Sequence, residues 1–258
     1  MTALLRHTRY MTATHLLQLW RQPWWIAVTL VQPVIWLLLF GSLFEVVGDI
    51  PGFGSESYIE YLAPGIVVMT AFFSAGWSGM PVIEDLDRGV TDRLLVTPIS
   101  RGALIAGRVA QNSVTIAIQS FIIVGIALAA GAGFPNGVGG VLAMVGVAVL
   151  IGACFGTLSI GFALVARKEE TLIATLTFLQ LPLSFLSSTF IQPALMPDWM
   201  RSVADFNPLE WAVEAARAAA LGQGGWDVVV TRSGLLLAFL ALCAWFALWA
   251  QERYQRSL

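Results

Sequence analysis

Side chains able to do covalent or metal chemistry are few in these 258 residues. The one lysine, Lys168, lies in Ala166-Arg-Lys-Glu169. A phosphate-cradling loop needs Gly-x-x-x-x-Gly-Lys-Ser/Thr, so this lysine cannot serve one. The two histidines, His7 and His15, have no third metal ligand beside them, so no metal site is expected. Cys154 and Cys243 fall inside apolar runs, which leaves no readable disulfide framework. The sequence therefore predicts a chain with no cofactor of its own and no catalytic residue. What polar chemistry remains lies in five amides within apolar runs, Gln32, Gln111, Asn112, Gln119 and Gln180, and in two charged loops.

The elements that must position these groups follow from composition. Apolar residues make up 57% of the chain and charged ones 12%, about half the share usual in globular proteins. That excludes both a soluble domain and a disordered chain, and a net charge of −2 gives no reason to expect nucleic acid binding. Uncharged runs of the roughly 20 residues that a bilayer core requires predict six membrane-spanning helices. They cover 24–44, 61–83, 109–130, 141–166, 171–192 and 233–251. The long uncharged stretch Val109–Ala166 divides at the turn formers of Gly131-Ala-Gly-Phe-Pro-Asn-Gly-Val-Gly-Gly140. Lipid leaves backbone groups no outside partner, and continuous apolar runs fit helices, not a β-barrel.

An even number of spans puts both termini on one side. With the termini inside, only Arg201, Arg217 and Arg232 of the 14 basic residues fall outside. The positive-inside rule therefore makes both termini cytoplasmic. Residues 1–23 place Leu4, Leu5, Met11, Leu16, Leu19 and Trp20 on one helical face opposite Arg6 and Arg21, which predicts an amphipathic helix lying along the membrane surface. No cleaved signal peptide is expected.

Gln32 and Gln180 stand beside Pro33 and Pro182, each inside a predicted span. A proline removes a backbone donor, so an amide nearby either mends the helix or faces a substrate path. Gly152-Ala-Cys-Phe-Gly156 allows close helix contact, although the match is weak in a chain with 24 glycines.

Two loops carry the most information. Residues 84–108, on the inner side, gather Glu84, Asp85, Asp87, Arg88, Asp92 and Arg93 around Leu94, Leu95 and Val96. A mixed-charge stub with a small apolar face suits docking onto a soluble partner. Residues 193–232, on the outer side, hold Pro193, Pro197 and Asn207-Pro208. They predict a short helix capped by Asp198, then a half-embedded one over Leu209–Leu221.

The first loop resembles the ABC-2 type transporter permeases, among them the daunorubicin-resistance and nodulation exporters. Their pattern of an acidic residue, Gly, an acidic stretch and Leu-Leu-x-Thr-Pro-x-x-Arg is matched by Asp87, Gly89, Asp92, Leu94, Leu95, Thr97, Pro98 and Arg101. Val90-Thr91 departs from the Thr-Leu that often follows the glycine. The second loop resembles the family's outer segment at Pro197, Trp199, Asn207, Pro208 and Arg217.

This resemblance implies an all-α membrane protein with six transmembrane helices, an N-terminal interfacial helix and a helical re-entrant hairpin between spans five and six. It implies a non-catalytic permease subunit of an ATP-binding-cassette exporter in the cell membrane, here a bacterial one. Two ATPase subunits would bind ATP and Mg and dock on residues 87–101, including Arg88 and Arg93. A second permease chain, identical or not, would complete a dimer. Spans one, two and five would line a path for a hydrophobic or amphipathic compound, with Gln32, Trp36, Phe72, Gln180 and Phe185 as candidates. Drug, lipid, glycolipid and polysaccharide all stay open as cargo. The competing readings are a passive channel or structural membrane protein, and an intramembrane enzyme acting on lipid. The enzyme would need paired Asp or His residues within the spans, where the sequence has none.

Overall fold

The computed structural model describes residues 23–44, 57–88 and 101–256. The N-terminal helix expected over 1–23, except Pro23, and the loop residues 45–56 and 89–100 lie outside that set. Among the described residues the protein is all helical. In chain order the helices are α1 Pro23–Leu43, α2 Tyr58–Gly76, α3 Met80–Asp87, α4 Arg101–Ala129, α5 Gly137–Ala166, α6 Glu169–Phe185, α7 Asp198–Ala204, α8 Pro208–Leu221 and α9 Gly225–Gln255. One 3-10 turn, Trp77–Gly79, joins α2 to α3 in a rod of 30 residues. That rod, α4, α5 and α9 are long and apolar enough to cross a membrane. α1 is apolar but shorter over the stretch Val28–Leu43.

α5 is the hub, with α2, α4, α8 and α9 packed around it. A helix that is apolar on every side belongs in a core, and buried residues run around α5 from Met144 to Leu164. Its glycines let neighbours approach closely. A Cβ on Gly152 would collide with the side chain of Ile116, and one on Gly161 would lie 2.7 Å from the Phe246 ring. Gly156 faces Ser78. Phe72 and Phe155 meet edge to face at 4.5 Å in the middle of this core.

Several boundaries differ from the expected ones. α4 begins at Arg101 rather than 109, and α9 runs over 31 residues rather than 233–251. Hydropathy marks only the apolar middle of a span, while its polar ends stay helical in the headgroup layer. α6 stops at Phe185, short of the expected 192. Its 17 residues rise about 26 Å, less than the roughly 30 Å of a hydrocarbon core. Asp198 is the first residue of α7 instead of its cap; Pro197 holds the cap position with no side-chain bond.

Candidate functional sites at the two ends of the bundle

Residues 186–192 follow α6 without helical structure, so their backbone groups need partners from elsewhere. α8 supplies most of them. Asn207 Nδ2 donates to the carbonyls of Leu183 and Leu186 at 2.7 and 2.9 Å. The Asn207 side-chain oxygen accepts from Leu209 N at 2.9 Å, which makes Asn207 the N-cap of α8. Pro208 takes the first helical position, where its missing N–H costs nothing. Two turns on, Glu210 and Arg217 project from one face of α8. Glu210 accepts the Ser188 N–H at 2.5 Å.

Arg217 is buried, with 4% of its surface exposed. Its guanidinium donates to Tyr61 O at 3.3 Å, Ser188 Oγ at 2.8 Å, Ser188 O at 2.7 Å and Thr189 O at 3.0 Å. It also lies 3.7 Å from the centre of the Tyr61 ring. A planar fork of five donors suits such a cluster of carbonyls. Two hydroxyls of α2 complete the clamp. Tyr61 donates to Ser188 O at 3.0 Å and Tyr58 to Phe190 O at 2.9 Å.

At the opposite end, Asp87 closes α3 and Arg88 caps it, with Arg88 3.5 Å from Glu84. An ion pair between Asp85 and Arg108 ties α3 to α4. Above it the 3-10 turn interrupts the α2–α3 rod. The Ser159 hydroxyl of α5 spans that gap, donating to Gly76 O at 2.5 Å and accepting from Gly79 N at 3.0 Å. Gly89, Asp92, Arg93, Leu94, Leu95, Thr97 and Pro98 lie outside the described residues, and Arg101 opens α4.

A family model described as ABC-2 type transporter matches residues 6–221. The chain belongs to the ABC-2 type transporter family. It is 31% identical over 203 residues to the putative transport permease ycf38 of Porphyra purpurea, covering 78% of this chain and 69% of that one. It is 29% identical over 220 residues to the daunorubicin resistance ABC transporter permease protein DrrB1 of Streptomyces coeruleorubidus, covering 82% and 75%. The inner membrane transport permease YadH of Escherichia coli K12 is 26% identical over 226 residues, covering 82% of each. The chain is therefore a transport permease subunit of an ABC transporter, a family whose members work with an ABC ATPase.

Within this permease the path candidates occupy unlike places. Gln32 and Phe185 are exposed, Phe185 by 72%. Trp36 is half-buried and meets Phe190 at 5.3 Å. Phe72 is fully buried. Gln180 is buried too, and its Nε2 donates to Phe72 O at 2.7 Å beside Gly76. In the outer segment, Trp199 is 65% exposed, whereas Asn207 and Arg217 are interior. Sequence reasoning missed Glu210, Ser188, Tyr58 and Tyr61. The available signal was the seven-residue spacing of Glu210 and Arg217 on an alanine-rich helix, together with Ser187-Ser188-Thr189 just past Pro182.

Proposed function

We propose that this permease is the membrane-spanning part of an ATP-driven exporter of a hydrophobic or amphipathic compound. The likeness to a daunorubicin resistance ABC transporter permease over 82% of the chain carries this reading. Six spans cross the cell membrane, with α6 and its non-helical extension as the fifth and both termini cytoplasmic. α7 and α8 form the re-entrant outer hairpin. Two ATPase subunits bind ATP and Mg and dock on residues 84–108 and the N-terminal helix. A second permease chain faces the exposed apolar stripe Val28, Val31, Ile35 and Leu38 of α1 and the exposed Phe178, Leu181 and Phe185 of α6. ATP acts by binding one of two states better than the other. The Asp85–Arg108 pair passes motion of the docking loop into α2, α3 and α4 together.

Reversing the charges of Asp92 and Arg93 together tests the docking. Desolvated interfacial charge pairs are worth a few kcal/mol, so coupled ATP hydrolysis and transport are expected to fall about tenfold or more while the chain still inserts. Intact coupled hydrolysis would remove these residues from the docking surface. A second test separates the two amides. Gln32→Leu is expected to change the ranking of transported compounds with little loss of stability. Gln180→Leu is expected to lower thermal stability by about 1–2 kcal/mol, because it removes a buried amide hydrogen bond to the Phe72 carbonyl. The reverse pattern would put Gln180 on the path and Gln32 in a helix contact.

A further inference from the structure

The segment 188–194, α8 and the start of α9 line an open cavity of about 790 Å³ that none of the transport chemistry above uses. Its wall carries two guanidinium groups, Arg217 and Arg232, and two carboxylates, Glu214 and Asp227. Their charges cancel, yet they are not all spent on one another. Arg232 Nε pairs with Glu214 at 2.5 Å, and the terminal nitrogens of Arg232 make no bond among the described residues. Asp227, exposed at the mouth, makes no ion pair among the described residues. With Arg217 spent on the 188–189 turn, the cavity offers the terminal donors of Arg232 and the carboxylate of Asp227. That combination matches a ligand bearing a phosphate and an ammonium a few bonds apart.

The surroundings indicate what is attached to such a head. Leu235, Leu242 and Trp249 follow the cavity-lining Val228 at seven-residue steps on α9, each more than a third exposed, and Trp226 adjoins Asp227 at the mouth. They form an apolar stripe that leaves the cavity along a helix long enough to cross the membrane. Charges at one end of such a helix, with a tryptophan beside them, mark headgroup level. We propose that the cavity holds the zwitterionic headgroup of a phospholipid, with phosphate at Arg232 and ammonium at Asp227, its acyl chains lying on the stripe. A purely anionic head would meet repulsion from Asp227 and Glu214, and a purely cationic one from the two arginines.

The test is native mass spectrometry of the full transporter taken from vesicles of equal parts phosphatidylethanolamine, phosphatidylglycerol and diacylglycerol. Retention of phosphatidylethanolamine is expected to exceed that of diacylglycerol by about tenfold, in keeping with charge-assisted bonds. Asp227→Asn should lower phosphatidylethanolamine and raise phosphatidylglycerol, closing the gap between them, because it removes both the ammonium partner and the repulsion of an anionic head. Because Arg232 also neutralises Glu214, the double variant Glu214→Gln with Arg232→Gln keeps an amide pair there, and it should lower both phospholipids. Asp227 is exposed, so its variant decides the matter even if the double variant fails to fold. Equal retention of the three lipids by the unaltered protein, or an Asp227→Asn variant with an unchanged lipid ratio, overturns the proposal. So does soluble glycerophosphoethanolamine that displaces the lipid at equal concentration, since the chains would then contribute nothing.

Discussion

Replacing Arg217 with Gln is expected to leave little folded permease in the membrane and to destabilise what remains by about 3–5 kcal/mol, the usual cost of stripping one partner from a buried charged cluster. Four acceptors each lose a donor at once: the Thr189 carbonyl and the Ser188 hydroxyl, and the carbonyls of Ser188 and Tyr61, of which Ser188 O keeps only the Tyr61 hydroxyl. Glu210, already holding Ser188 N, is then left as a buried carboxylate without the nearby positive charge. Arg217→Lys should fall between the two, because an ammonium keeps the charge but has neither the fork nor the flat face that lies over Tyr61. Thermal unfolding of the purified variants measures the series. A Gln variant within about 1 kcal/mol of the parent would mean that the carbonyls find other partners, as an ordinary surface hairpin would allow.

How much of this was legible in the sequence depends on which physical signal carried each element. The apolar runs located the long helices among the described residues, because desolvation acts on every residue of a span. Their ends were less visible, since Asp227, Arg232 and Glu252 interrupt the hydropathy of α9 without interrupting its hydrogen bonds. The end of α6 was missed for the opposite reason: residues 186–192 are uncharged, so hydropathy continued after the helix had stopped. Pro182 was the warning, but one proline inside an apolar run marks a kink as readily as an end. Arg217 and Glu210 were read as outer-loop residues because any charge ends an uncharged run. Only the fold reveals that each is paid for by backbone groups of a broken segment. Gln32 and Gln180 looked alike in sequence, an amide beside a proline. They differ in what lies opposite: open surface for one, the backbone of α2 for the other. The glycines Gly152 and Gly156 were legible as a motif, but not as the places where α5 meets Ile116 and the 3-10 turn.

Asn207 concentrates the same argument in one side chain, and its substitution gives the second large effect. Its amide nitrogen holds two carbonyls at the end of α6, while its oxygen caps α8. Loss of an N-cap costs about 1 kcal/mol. Each buried carbonyl left without a donor adds about 1–3 kcal/mol. Asn207→Ala is therefore expected to destabilise the permease by about 3–5 kcal/mol, measured by thermal unfolding of the purified protein. Asn207→Asp separates the two roles. It keeps the capping oxygen but has no N–H to give, and it sets a negative charge against the oxygens of Leu183 and Leu186. If the link to α6 is the larger part, Asp should be as damaging as Ala or worse. If capping is the larger part, Asp should restore most of the stability, as aspartate does at ordinary helix starts. A rescued Asp variant would mean that the bonds of Arg217 and Glu210 to Ser188 and Thr189 suffice to hold the segment after α6 to α8. A failed one would place Asn207 beside them as the third member of the clamp that holds the short span to the core.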